Sequence, residues 1–350
     1  MKAKNLLFMF LFPSMIIADN ISDEAYFEDN ISGKNTAIKV ALDLAYENNK
    51  SITSGKNADY IPILAEVPSD LFAIVVVTVD GDVFVKGDID YNFSIQSISK
   101  VFLLASIIEI SGQEEVVNKI GINLTGKKFD SIDVIEENHN NLTNPMLNAG
   151  AIATTSLVKG LNYDQKLKVI LDSLSQFANR EIVVDQNVYE SEAKNNQRNK
   201  SIAFALQSYG KIYADPIETV DLYTKQCASS INTEELATMA ATLANGGVNP
   251  ISGKKIVSPE TVAKVLQVMV TFGLYNNSGR WFYDVGLPVK SGVSGGVIAV
   301  VPGQFSIAAF SPPLDRYGNS IKAQKAITDI IKNLNISHYL ISPVQVDNEQ

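Results

Sequence analysis

Two hairpin-like segments lie near opposite ends of the chain, and any fold must accommodate both. In LFAIVVVTVDGDVFVKGDI, residues 71–89, two β-rich runs flank Asp80-Gly81, a dipeptide that supplies the positive φ of a tight hairpin turn. GGVIAVV, Pro302-Gly303 and QFSIAAFS form a second pair of the same kind. Between them the pattern is helical, over 148–159, 164–176, 186–209, 216–228 and 233–244, with Asn245-Gly246-Gly247 as a stop, and again over 258–272. Terminal helices are expected at 36–49 and about 319–334. This order predicts an α/β protein of the α+β type. A mostly antiparallel central sheet is built from both chain ends, with a helical lobe inserted between its halves. The cleft between lobes is the natural place for a small-molecule site.

The chain has 350 residues, 46% of them apolar, enough for one large core. Lys2 and Lys4 precede an apolar run from Leu6 to Ala18 that is too short for a comfortable membrane span. The pattern matches a secretory signal peptide over 1–18, cleaved after Ile16-Ile17-Ala18; an uncleaved membrane anchor is the competing reading. A flexible leader over 19–35, one two-lobed domain over 36–340 and a tail over 341–350 would complete the chain. Losing two lysines takes the net charge from −9 to −11. Such acidity argues against nucleic acid or an anionic membrane as partner. The single cysteine, Cys227, excludes an internal disulfide. His139 and His338 are far apart, leaving little material for a metal site or a histidine triad. Hydrolytic chemistry here would need another base.

That base is suggested by FSIQSISKVF, residues 93–102, where Ser97 and Lys100 stand in the order S-x-x-K. With Ser94 as N-cap, Ser97 falls in the first turn of a buried helix, and the Lys100 amine three residues on can reach its hydroxyl. The helix dipole would favour an alkoxide, and an apolar setting would make a neutral amine available. Ser99 is given no role. The spacing alone says little, since it recurs at Ser156–Lys159, Ser191–Lys194, Ser208–Lys211 and Ser252–Lys255. Only Ser97 opens a long buried helix directly after a hairpin. Lys290-Ser291-Gly292 is the one K-[ST]-G of the chain, and it enters a strand. S-x-x-K with K-[ST]-G is the signature of serine β-lactamases and penicillin-binding proteins. The third element, S-D-N, is absent; Ser230-Ile231-Asn232 matches it only as S-x-N.

Read with DYIPILAEV, TVDGDVFVKGD, NPMLNAGAI, YTKQCASS, MAATLANGG, KSGVSGG and FSPPLDRYGNS, these motifs resemble the serine-dependent glutaminases, which have a β-lactamase-like fold. The resemblance covers roughly 36–340, although 126–141 is too polar to align. It implies hydrolysis of L-glutamine to L-glutamate and ammonia without metal or organic cofactor, by a homodimer or homotetramer. Ser97 matches the nucleophile and Lys100 its activating partner. Tyr223 and Tyr275 match site tyrosines, either of which would relay a proton, and Val293 completes an oxyanion hole with the Ser97 N–H. Tyr60, Asn148, Glu192 and Asn199 match substrate-binding positions. The chemistry suits them: Glu192 would take glutamine's ammonium, while asparagine amides and tyrosine hydroxyls would take its carboxylate. Singly, each has a structural reading as helix cap, solvated face or turn aromatic. The rivals are a β-lactamase or peptidoglycan carboxypeptidase, and a sensor that is acylated without turnover.

Overall fold

The computed structural model describes residues 23–337 except His139 and Asn141, together with Tyr339, and side chains from Gly33 onward. The signal-peptide segment and both histidines therefore lie outside the described residues. Among the described residues there are seven strands: β1 (Ala73–Thr78), β2 (Val83–Gly87), β3 (Phe93–Ser94), β4 (Ser230–Ile231), β5 (Val289–Ser291), β6 (Gly296–Val301) and β7 (Phe305–Phe310). Five form one antiparallel sheet in the order β2-β1-β7-β6-β5. Both expected hairpins are present, turning at Gly81 (φ +93°) and Gly303 (φ +72°). They meet where β1 pairs with β7, Ala73 opposite Phe310 and Thr78 opposite Phe305. The sheet is thus closed by residues more than two hundred positions apart in the chain.

Its central strands are covered on both faces, which explains their uninterrupted apolar runs. Ile74, Val76, Val297 and Ile307 face the helices Asp23–Asn49 and Ile321–Asn333. Ala73, Val75, Ile298 and Ala308 face the helical lobe, where Thr233–Ala244 lies against the sheet. Each of these valines and isoleucines contributes about 1.5–3 kcal/mol on burial.

Three boundaries differ from the sequence reading. The first helix begins at Asp23, so the expected leader is helical from there to residue 35. The helix expected over 186–209 is two, Gln186–Lys194 and Gln197–Ser208, broken at Asn195-Asn196. Ser94 does not cap a helix. It is extended in β3 and pairs with Ser230 of β4, a tertiary pairing that overrides its local capping preference. The helix Ser99–Ser111 is instead entered through a 3-10 turn, Gln96–Ile98.

Candidate active site

Ser97 sits in that 3-10 turn, directly after Gln96, whose φ of +51° is rare for a residue with a side chain. The turn is tied on three sides. The Ile95 N–H donates to Ser229 O (2.9 Å), and the Ser99 hydroxyl donates to Gln96 O (2.7 Å). Gln226 Nε2 donates in turn to Ser99 Oγ (3.0 Å). Ser99 is therefore an anchor of the nucleophile turn. On the other flank a Cβ at Gly292 would lie 2.9 Å from Ile95 O, so the glycine of K-S-G lets β5 approach the turn.

A cavity of about 380 Å³ opens over Ser97, bordered by Tyr60, Asn148, Glu192, Asn199, Tyr223 and Val293. Seven of the nine residues expected at the site thus line one space, and Lys100 and Tyr275 pack behind it. Asn148, first residue of the helix Asn148–Thr155, is the hub. Its Oδ1 accepts from Lys100 Nζ (2.8 Å) and from the Tyr223 hydroxyl (3.2 Å), and its Nδ2 donates to Asn199 Oδ1 (3.1 Å). Lys100 also donates to Met146 O (3.2 Å). The direct Ser97–Lys100 bond expected from the spacing is not among the hydrogen bonds of the described residues, because the amine is drawn to these acceptors. Burial lowers Lys100 to a pKa of about 8.

The group beside the Ser97 hydroxyl is Tyr275. Burial raises its pKa to about 12, partly offset by the neighbouring serine. Its hydroxyl is buried without a well-formed hydrogen bond, and its backbone is left-handed at φ +55°. Such strain on an aromatic residue marks a position that the surroundings enforce. Phe129 packs on its ring at 5.1 Å, and Lys290 Nζ lies 4.2 Å from the ring centroid. Lys290 is fully buried and donates to Gly273 O (3.0 Å) and Ser291 O (2.8 Å). Val293 lines the cavity, and its N–H has no hydrogen-bond partner among the described residues, as an oxyanion donor requires.

Glu192 also lines the cavity. Its carboxylate accepts from Gln96 Nε2 (2.5 Å), which lowers its pKa, but desolvation dominates and raises it to about 7. An ammonium arriving there would stabilise the ionised form. Tyr60 is 54% exposed and stands at the mouth.

Several residues of the site carried no readable signal in the sequence. Gln96 was visible only as the neighbour of Ser97. The unalignable polar segment supplies Lys128, Phe129 and Asp130, which wall the cavity. It is held largely through backbone: Phe129 O accepts from the Asn148 N–H (2.9 Å), and Asp130 O from Arg198 Nε (2.8 Å). Backbone contacts leave no motif.

Known proteins match this chain closely. The family model described as Glutaminase matches residues 55–339. A glutaminase of Brucella canis is 50% identical over 309 residues, covering 88% of this chain and 98% of the relative. One from Mycobacterium ulcerans is 48% identical over 305 residues, covering 87% and 95%. Among solved structures, one described as probable glutaminase ybaS superposes with a TM-score of 0.85 at 46% identity, covering 87% of this chain and 98% of that one. A Bacillus glutaminase gives 0.75 at 30% identity, covering 80% and 96%. With the family model spanning most of the chain and relatives near half identical along nearly their whole length, the chain belongs to the glutaminase family.

Proposed function

We propose that this enzyme hydrolyses L-glutamine to L-glutamate and ammonia through an acyl-enzyme on Ser97. One observation carries the reading: a single cavity of amino-acid size is lined by both the proposed nucleophile, Ser97, and a carboxylate, Glu192. Glutamine's ammonium meets Glu192, and its carboxylate meets the amides and hydroxyls around Asn148. Its side-chain amide then lies at Ser97, with the carbonyl oxygen toward the N–H groups of Ser97 and Val293. Ser97 attacks as its proton passes to the Lys100 amine. Tyr275 protonates the departing ammonia, and water hydrolyses the γ-glutamyl ester. A solved relative 35% identical, titled Mglu in its glutamate form, supports a site for the product. The β-lactamase reading has no support in the family assignment. Export, suggested by Lys2, Lys4 and the apolar run behind them, and homo-oligomerisation complete the proposal.

The test is ammonia release from L-glutamine, L-asparagine and D-glutamine by wild type and Ser97→Ala. Wild type should cleave L-glutamine, and the variant should lose about 10⁴-fold or more in kcat. Full activity in Ser97→Ala would sink the mechanism.

A further inference from the structure

A second cavity, of about 450 Å³, adjoins the first and is far larger than a departing ammonia requires. Tyr60, Lys128 and Phe129 border both. Its outer side is built from residues 55–60 and 314–318, stapled by Lys56 N–H to Leu314 O (3.2 Å) and Leu314 N–H to Lys56 O (2.9 Å). Gly55, at φ +105°, permits that staple, since a Cβ there would meet Leu314 O at 2.8 Å. The second cavity is therefore a constructed part of the fold.

Its position relative to Ser97 gives it meaning. Glu192, Asn148 and Asn199 border only the first cavity, whereas Tyr275 borders only the second. Gly318 of the second cavity stands close behind Val293, whose Cγ1 would be 3.7 Å from a Cβ at Gly318. Ser97, beside Tyr275, thus marks the passage between the two spaces. A γ-glutamyl group anchored at Glu192, with its amide carbon at Ser97, directs the amide nitrogen toward Tyr275 and the second cavity. Any substituent on that nitrogen would lie there.

The charges select the substituent. The Asp59 carboxylate is taken up by Lys56 (2.5 Å), and Asp315 by the N–H groups of Tyr317 and Asn319 and by Gln324 Nε2. Lys128 lies 3.6 Å from Asp130. Arg316 instead donates to the neutral Tyr317 hydroxyl (2.5 Å) and has no carboxylate partner among the described residues. Asp315 has no cation partner among them either, but its oxygens are already occupied by these neutral donors, so Arg316 is the rim group with donors left for a carboxylate.

Resting on the glutaminase reading above, we propose that the second cavity is a leaving-group subsite and that the enzyme also cleaves γ-glutamyl amides of α-amino acids. The step balances as for glutamine. Ser97 Oγ bonds to the amide carbon and its proton goes to Lys100. The C–N bond breaks, and the amino-acid nitrogen takes a proton from Tyr275 and leaves as the free amine. Water then attacks the ester carbon as its proton passes to the Tyr275 phenolate, and the Ser97 oxygen leaves with the proton held on Lys100.

γ-Glutamylalanine and γ-glutamylalaninamide, which lacks the carboxylate, would be incubated with wild type and Arg316→Glu. Released alanine or alaninamide would be measured beside ammonia from glutamine. Wild type should cleave both, the free acid faster. Arg316→Glu should lower kcat/KM for γ-glutamylalanine about fivefold, through KM, while glutamine and the amide change less than about twofold. Wild type that releases ammonia from glutamine but no alanine would overturn the subsite. Equal losses on all three substrates would overturn the role of Arg316. Failure to cleave glutamine itself would instead overturn the underlying glutaminase reading, and the proposal with it.

Discussion

Replacing Glu192 by glutamine should change the shape of the pH–rate profile as well as its height. Under the proposed mechanism two groups must lose a proton before glutamine is bound and attacked: Glu192, with a pKa of about 7, and Lys100, with a pKa of about 8. Both needs act in the same direction, so kcat/KM rises with pH. At pH 6 about a tenth of Glu192 is ionised and about a hundredth of Lys100 is neutral, which puts kcat/KM about a thousandfold below its plateau. The logarithmic acid limb therefore approaches a slope of two. Glu192→Gln keeps the size of the side chain and removes its titration. Its limb should fall with unit slope, about a hundredfold from its own plateau to pH 6, governed by Lys100 alone. That plateau should itself lie about a hundredfold lower, the cost of about 2–3 kcal/mol for a lost charge-assisted contact to the ammonium. Initial rates of ammonia release at substrate well below KM, from pH 5.5 to 8.5, measure both quantities. A wild-type limb of unit slope, or an equally steep limb in the variant, would refute the assignment of Glu192 as the ammonium partner.

Two further substitutions probe how the site is held. Gln96→Ala removes the donor that lowers the pKa of Glu192, so the lower bend of the acid limb should move to higher pH and KM for glutamine should rise; an unmoved limb would count against the contact. Asn148→Ala leaves the Tyr223 hydroxyl and the Asn199 amide oxygen without their partner, and Lys100 with one acceptor in place of two. The loss should be about 3 kcal/mol in urea denaturation together with at least about a hundredfold in kcat. Unchanged stability would mean that water replaces the amide.

What the sequence disclosed and what it hid divide along one physical line. The hairpins were legible because Asp80-Gly81 and Pro302-Gly303 fix turns locally, and most helices because their periodicity and caps are local too. Asn232 with Glu235 and Ser258 with Thr261 cap as the local pattern predicts. The errors arose where a distant partner outbid a local preference. Ser94 has the chemistry of an N-cap but pairs with Ser230. Lys100 has the spacing to reach Ser97 but bonds to Asn148, forty-eight residues on. Residues 128–130 contribute to the site through carbonyl oxygens, which any side chain provides. The identity of the site residues rested on long shared phrases, because S-x-x-K spacing alone occurs five times in the chain.

Within the proposed mechanism, the same energetics favour one division of acid and base, which the sequence left open between Lys100 and two tyrosines. Burial penalises the charged form of each candidate, but the consequences differ. For Tyr275, at about 12, only about one molecule in ten thousand carries a phenolate at pH 8. At the same pH about half of the Lys100 amines are already neutral. Tyr223 is shifted upward too, by the same desolvation. Lysine is therefore the better proton acceptor by some four orders of magnitude in available base, and the phenol is left as the donor. Lys290 fits that division. Burial, first, and the nearby charge of Lys100 both lower its pKa. It donates to Gly273 O and Ser291 O, holding the strand that leads into Val293. A buried tyrosine that resists ionisation is poorly suited to activating serine. It is well suited to protonating a nitrogen that would otherwise have to leave as an amide anion, which is far more basic than a phenolate.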